Sequence, residues 1–359
     1  MNHRSLTLGE ALKRSNNNAD VFRLMAALAV IWGHSFALAP AKGLSEPIGD
    51  LLGFDYSGSL AVKFFFFLSG ILVTVSWIRN PSPMKFALAR IFRIFPALIV
   101  SAMIMMLMVG PLLTTLPRSD YFGNTWMYEH IIVSPQMGYA LPGVFQRNAY
   151  TAANGSLWTI SYELLMYTVL LGLGMCCLFR LKAVAFTLCA ASVIWFMANP
   201  ESITVFGMLN VNEAGTLPAF FAFGALLAIF KDSIRIDGKV VIGLCLLAWT
   251  VRGGPAFKYA FYPAFLLAPI WLMTTRPLKM IRLPGDFSYG VYVYGWPIQQ
   301  VFAALFPHAG PHTNAALSMP TSVLVGAASW YLIEKPAIAF GHKQMDLIAR
   351  AANRQADAV

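Results

Sequence analysis

The sequence has 359 residues, of which 58% are hydrophobic and only 12% are charged. Ordinary globular domains carry about 25% charged residues, and a soluble protein of this composition has no means of burying so much apolar surface. A bilayer removes the difficulty, because lipid-facing side chains need no burial against protein. The composition therefore excludes an ordinary soluble protein and predicts an all-α, polytopic membrane helix bundle.

Ten apolar segments follow one another along the chain, each long enough or nearly long enough to cross a bilayer. They are residues 21–39, 58–78, 94–116, 156–179, 183–198, 214–230, 240–252, 257–275, 287–306 and 317–334. We expect a membrane domain over residues 21–336, flanked by an N-terminal segment, 1–20, and a tail, 337–359. The longest polar connection, 117–155, is rich in aromatic residues and is expected to pack over the outer mouth of the bundle.

We interpret the net charge of +10 by the side of the membrane on which each cation lies, because cytoplasmic connections are enriched in Lys and Arg. With a cytoplasmic N-terminus, most of the 26 Lys and Arg fall on the inner side. This asymmetry predicts ten spans with both termini cytoplasmic and removes the need for a nucleic-acid partner. The four cysteines show no metal-ligand spacing, so no metal site is predicted.

Titratable groups inside a membrane are costly, and each is a functional candidate. Arg23 and His34 lie on the first span, eleven positions apart, which is close to three helical turns and about 16 Å. One helix face therefore presents a cation near the cytoplasm and an imidazole deeper inside. The alternative is structural, with His34 bonded to a neighbouring helix and Arg23 reaching the lipid headgroups.

Glu163 lies in the fourth span, at a depth similar to that estimated for His34. A histidine beside a carboxylate is the usual arrangement of a general base, so we predict that the two residues meet as a catalytic pair. The alternative is a single carboxyl group that its surroundings hold neutral.

Arg90 and Arg93 fall at the predicted start of the third span, three positions apart and so on one helix face. Two guanidinium groups at a helix N-terminus suit a phosphate ligand. The alternative is the ordinary excess of cations on the cytoplasmic side. At the other end of the chain, Glu334-Lys335-Pro336 is expected to end the last span.

Six short motifs resemble those of the acyltransferase-3 family of bacterial membrane O-acyltransferases. They are Arg23 and His34 with ten residues between them, Phe66-Phe67-Leu68-Ser69-Gly70, Arg90-x-x-Arg93-Ile94-Phe95-Pro96, Gly155-Ser156-Leu157-Trp158 followed by Glu163 and Tyr167, Ser288-Tyr289-x-x-Tyr292 with Trp296-Pro297, and Trp330-Tyr331-x-x-Glu334-Lys335-Pro336. One position departs from the pattern, since many members have a histidine two residues before the proline of the fifth motif and this chain has Gly295.

The resemblance implies an enzyme that takes an acyl group, commonly acetyl from acetyl-CoA, at the cytoplasmic face. It implies delivery of that group to a glycan hydroxyl at the periplasmic face of a bacterial inner membrane. The matching positions imply that Arg23, Arg90 and Arg93 bind the CoA phosphates and that His34 and Glu163 catalyse the transfer. The same motifs place Ser156, Trp158 and Tyr292 at the substrate.

Several alternatives stay open at this point. His34 either deprotonates the acceptor hydroxyl or is itself acylated first. Four aromatic residues of the long connection either stack on sugar rings or belong to the interfacial belt; they are Trp126, Tyr128, Tyr139 and Tyr150. A transporter or flippase for a lipid-linked glycan would also have ten spans and buried titratable groups, although no inverted repeat is visible. The acyl chain length and the acceptor, whether lipopolysaccharide O-antigen, exopolysaccharide or another glycan, are equally open.

Overall fold

The computed structural model describes residues 6–125, 128, 140–201 and 214–356, so that Trp126 and Tyr139 lie outside it. Its helices are α1 (Leu8–Ala11), α2 (Ala19–Leu38), α3 (Pro47–Leu52), α4 (Ser57–Arg79), α5 (Pro83–Ile104), α6 (Gly110–Leu113), α7 (Arg118–Phe122), α8 (Trp158–Met175), α9 (Lys182–Ala198), α10 (Leu217–Ile229), α11 (Gly238–Thr250), α12 (Phe257–Leu272), α13 (Arg276–Met280), α14 (Ser288–Leu305), α15 (Pro311–Ser329) and α16 (Lys335–Ala356). Within these ranges the only sheet pairs β1 (Leu6–Thr7) antiparallel with β2 (Arg235–Ile236). The prediction of a nearly all-α fold is therefore confirmed.

Each of the ten predicted apolar segments overlaps a helix, but the helices differ in length. In the part of the chain that the structure describes, five helical stretches are long and apolar enough to cross a membrane. They are Ala19–Leu38, Ser57–Arg79, Pro83–Leu113, Gly155–Met175 and Pro311–Ile348. Three shorter apolar stretches are Lys182–Ala198, Ala214–Ile229 and Gly238–Thr250. The number of crossings and the side on which the termini lie therefore stay predictions.

Two helices extend beyond the ends of the predicted spans, and a proline is involved in each. The helix of the third predicted span begins at Pro83 rather than near residue 94. Proline suits the first helical position, because a backbone N–H there would have no hydrogen-bond partner within the helix. Glu334-Lys335-Pro336 does not end a helix, since α16 continues from Lys335. A π-helical turn, Trp330–Glu334, comes directly before Pro336, and this wider turn accommodates a residue without an amide donor.

The backbones of α4 and α10 touch at two glycines. A Cβ atom at Gly70 would overlap the carbonyl oxygen of Phe221, and one at Gly224 would overlap that of Phe67. Small residues at such positions let apolar helices approach closely, so that van der Waals packing holds them together. This contact lies at the centre of the bundle, where α4 also packs against α2, and α2 against α14 and α15.

Three connections that were predicted to lie on the cytoplasmic side meet at one end of the bundle. The β1–β2 pairing joins the N-terminal segment to the connection between α10 and α11. The Asn18 side chain donates to the carbonyl oxygen of Leu278, at 2.7 Å, in the connection before α14. This common end agrees with the predicted distribution of Lys and Arg.

The long connection before α8 is anchored on α14 over residues 140–154. Gln300 donates from Nε2 to the carbonyl oxygens of Tyr150 and Ala152, at 2.8 and 2.7 Å. Asn154 donates to the carbonyl oxygen of Val293 at 2.9 Å. Residues 140–154 of this connection therefore pack against the bundle, and their position over its outer mouth stays a prediction.

Candidate active site

A cavity of about 330 Å³ brings five of the predicted site residues together, one of which is Tyr292. Its walls include Arg23 from α2, Arg90 and Arg93 from α5, and Glu163 from α8. The C-terminal helix α16 also reaches it through His342. We call this the arginine cavity.

Two of the three arginines form ion pairs within the protein. The Asp286 carboxylate accepts from Arg23 at 2.5 Å and from Arg93 at 2.7 Å, and Arg93 also donates to Glu334 at 2.8 Å. Burial opposes the ionisation of Asp286, but the charges of Arg23 and Arg93 outweigh it and hold the pKa of this carboxyl well below its usual range. Arg23 and Arg93 are thus neutralised internally, which the sequence did not indicate.

Arg90 differs from both, since no ion pair to it occurs among the described residues. Its Nε atom is buried without a hydrogen-bond partner, and its guanidinium lies 5.7 Å from the centre of the Tyr167 ring. Arg90 and Arg93 both face the cavity, as their spacing predicts. They lie inside α5 rather than at its N-terminus, however, so the helix-dipole argument for phosphate binding is wrong.

Glu163 is not the direct partner of His34. Its carboxylate accepts from the hydroxyl of Tyr167 and, at 3.4 Å, from that of Ser69. No hydrogen bond or ion pair between Glu163 and His34 occurs in the described ranges, so the predicted contact is wrong. The predicted depths of Glu163 and His34 depend on where the two spans end, and an error of one helical turn moves a side chain by about 5 Å.

His34 lines a second, smaller cavity of about 30 Å³, which we call the histidine cavity. Ser156, Trp158 and Tyr292, the predicted substrate residues, line it as well. The imidazole packs edge-on against Trp296, with 4.9 Å between the ring centres. His34 Nδ1 and Ser156 Oγ are both buried without a hydrogen-bond partner, so both are available to a ligand that enters this cavity.

Three side chains line both cavities: Val62, Thr159 and Tyr292. The Tyr292 hydroxyl lies 2.5 Å from Thr159 Oγ1 and donates to the carbonyl oxygen of Ser156 at 3.0 Å. The two cavities are therefore neighbours, with this hydrogen-bonded pair between them. A thin, extended ligand that passes between Thr159 and Tyr292 would reach from Arg90 to His34.

The profile of a protein family described as "Acyltransferase domain" matches residues 16–333 of this chain. The chain belongs to the acyltransferase-3 family. It is therefore an acyltransferase and, with its long apolar helices, a multi-pass membrane protein.

Two relatives match this acyltransferase over most of their length. An "O-acetyl transferase" of Shigella phage Sf6 is 30% identical over 328 residues, which cover 89% of this chain and 95% of the relative. "Nodulation protein 10" of Rhizobium leguminosarum bv. viciae is 28% identical over 356 residues, which cover 90% and 93%. No solved structure matches the chain.

Gly295 of this acyltransferase occupies the position at which many family members have a histidine. It is buried in α14, where an added Cβ would lie 2.8 Å from Cγ1 of Ile31 in α2. In this chain the position therefore serves the packing of α14 against α2.

Sequence reasoning missed the importance of two other acidic and basic positions. Glu334 lies in the last apolar stretch, and the rule that membrane charges are functional would have marked it. Lys63 lies within the second apolar segment, 58–78, and is 3% exposed inside α4. The same rule applies to it.

Proposed function

We propose that this acyltransferase moves an acetyl group from cytoplasmic acetyl-CoA to a hydroxyl of a glycan on the outer side of a bacterial inner membrane. The observation that carries the proposal is the adjacency of the two cavities, one with Arg90 and one with His34. The relative that is named an O-acetyl transferase supports acetyl as the group that is transferred. In this proposal the chain crosses the membrane ten times, with both termini in the cytoplasm.

Donor binding is assigned to the arginine cavity. Its volume of about 330 Å³ is that of an ordinary small-molecule site. Arg90 offers an uncompensated cation to a CoA phosphate, while Arg23 and Arg93 fix the wall through Asp286 and Glu334. The pantetheine arm then passes Thr159 and Tyr292 and brings the thioester to His34.

The chemistry follows from the position of the imidazole. His34 takes the proton of the acceptor hydroxyl, and the hydroxyl oxygen attacks the carbonyl carbon of the thioester. The carbon–sulfur bond breaks, and the proton passes from the imidazolium to the thiolate that leaves. Glu163 acts at a distance, by holding Tyr167 and Ser69 in the wall of the arginine cavity.

The alternative, a transporter or flippase for a lipid-linked glycan, lacks comparable support. Membership of an acyltransferase family favours group transfer. We therefore place the glycan as an acceptor at the outer mouth rather than as cargo.

Acetyl transfer by the purified protein tests the proposal. We expect label from [¹⁴C]acetyl-CoA to reach a de-O-acetylated surface polysaccharide, and we expect His34→Ala to lower kcat by about 10²–10⁴-fold. His312→Ala is the matched control, because His312 packs against Trp32 and Phe36 and lines neither cavity. Full activity of folded His34→Ala would refute the mechanism.

A second arm of the experiment separates donor binding from chemistry. Arg90→Ala is expected to raise the KM for acetyl-CoA about 10–100-fold, since a charge-assisted hydrogen bond contributes about 1.5–3 kcal/mol. The value of kcat should change little. A fall in kcat at constant KM would show that Arg90 does not bind the donor.

A further inference from the structure

Ser59 shares the histidine cavity with His34, although no motif had indicated it. Helices α2 and α4 touch just beside this point, where a Cβ atom at Gly33 would lie 2.8 Å from the backbone nitrogen of Gly58. His34 and Ser59 are the next residues on the two helices. This close contact of α2 and α4 therefore brings an imidazole and a hydroxyl to one small space.

A buried ion pair lies directly behind Ser59. Lys63 donates from Nζ to Ser59 Oγ at 2.6 Å and to Asp55 Oδ2 at 2.7 Å, and the Tyr262 hydroxyl donates to the same carboxylate at 3.0 Å. Lys63 is 3% exposed and Asp55 is 7% exposed. Burying such a pair is costly even when it is well bonded, so a role beyond stability is expected of it.

The direction of the hydrogen bond between Lys63 and Ser59 is fixed by chemistry. An ammonium group has only donors, so the oxygen of Ser59 must accept. The hydroxyl proton of Ser59 stays available for an acceptor, and within the described ranges no hydrogen bond has Ser59 Oγ as its donor. The adjacent cation also polarises this O–H group and strengthens it as a donor.

The space in front of Ser59 suits a small group. About 10–15 Å³ is enough for a water molecule, so about 30 Å³ accommodates roughly two or three heavy atoms, as in an acetyl group but not in a sugar ring. Ser156 Oγ, buried and without a partner, lines the same space. Two hydroxyl groups and an imidazole thus surround a volume the size of the group that is transferred.

We propose that Ser59 is the oxyanion donor of this enzyme, with Lys63 and Asp55 as its positioning residues and Ser156 as a second donor. This inference rests on the proposed function. When the acceptor oxygen bonds to the carbonyl carbon, the carbonyl electron pair moves onto its oxygen, and Ser59 donates to that oxyanion. The intermediate collapses when the carbon–sulfur bond breaks, and the thiolate takes the proton that His34 had accepted.

Steady-state kinetics with acetyl-CoA tests this assignment. Removal of one oxyanion donor lowers kcat by about 10²–10³-fold in well-studied enzymes, so Ser59→Ala should lower kcat by about 10²-fold and leave the KM for acetyl-CoA within about twofold. Ser57→Ala is the matched control on the same helix turn, because the Ser57 hydroxyl donates to the carbonyl oxygen of Ala29, at 3.3 Å. It should keep wild-type kinetics.

Ser59→Cys covers the case in which Ser59→Ala does not fold, because the thiol nearly matches the hydroxyl in size and is a weaker donor. Wild-type kcat in either folded Ser59 variant, or a loss confined to KM, would overturn the inference and leave the proposed function intact. A wild-type protein without acetyl transfer would overturn both.

Discussion

Asp286 joins three parts of the molecule through a single carboxylate. It accepts from Arg23 of α2 and Arg93 of α5, and Ser288 at the start of α14 donates to its other oxygen at 2.6 Å. Glu334 extends the cluster to the π-helical turn before α16. Arg23 and Arg93, two of the three arginines predicted to bind phosphate, therefore hold helices together, and their charges offset part of the cost of burying Asp286.

Asp286→Asn should destabilise the protein by about 3 kcal/mol, because it leaves two largely buried guanidinium groups without their shared counter-charge. The folded-state pKa of Asp286 lies below the unfolded value of about 3.9, so its stabilising contribution is present above that value and is lost as the pH falls through the folded pKa. The difference between variant and wild type should thus stay constant from about pH 5 to pH 8.

Thermal unfolding in detergent over this pH range measures the effect. Asp232→Asn is the matched control, because Asp232 pairs with Lys231 on the surface and its side chain is 78% exposed. An exposed ion pair contributes at most about 1 kcal/mol. Equal melting temperatures for Asp286→Asn and the wild type would show that the buried cluster does not stabilise the bundle.

The cost of burying charge in a bilayer pointed to Arg23, His34 and Glu163 from sequence alone, and all three line a cavity. The partners of these residues were not predictable in the same way. Asp286 lies in a connection, and its contact with Arg23 depends on how α2 and α14 pack. The error of placing Glu163 beside His34 has the same origin, because depth along a helix does not specify which neighbour a side chain meets.

At the scale of elements, glycine contacts hold the central helices close together. Gly70→Ala should destabilise the protein by about 1–3 kcal/mol, since its Cβ would overlap the backbone of Phe221 and cannot be relieved by a rotamer change. Gly172→Ala is the matched control within α8, because a Cβ there has no neighbour within 4 Å. It should be neutral or stabilising by up to about 1 kcal/mol.

Unfolding of both variants in mixed detergent micelles distinguishes the two glycines. Equal stability of Gly70→Ala and Gly172→Ala would contradict the close approach of α4 and α10, because helix propensity alone favours alanine at both positions.

The existence of the helices followed from apolar runs, whereas their ends did not. The first turns of α5, from Pro83 to Arg93, contain polar and charged residues, so the apolar run did not indicate that the helix begins there. Glu334-Lys335-Pro336 combines two charges with a proline, yet the π-helical turn allows the chain to continue as α16. Local sequence signals therefore located helix centres better than helix boundaries.

At the scale of the whole molecule, the ten-span topology predicts which positions face the outside. Lys42→Cys introduces an exposed thiol in a connection predicted to be outer, whereas native Cys177 is exposed just after α8, at the predicted inner end of the fourth span. A membrane-impermeant maleimide should label Lys42→Cys in spheroplasts. The wild type should stay unlabelled until the membrane is opened. Labelling of the wild type in sealed spheroplasts would contradict the predicted orientation.

If the enzyme works as proposed, the hydrogen-bonded side chains of Thr159 and Tyr292 between the two cavities would also bear on the cell's energy supply. A bacterial inner membrane stores a proton gradient, and a continuous water-filled pore would discharge it. If these two side chains separate only when the pantetheine arm passes between them, acetyl groups would leave the cytoplasm while protons stay behind. On this view the enzyme exports a chemical group without costing the cell its proton-motive force.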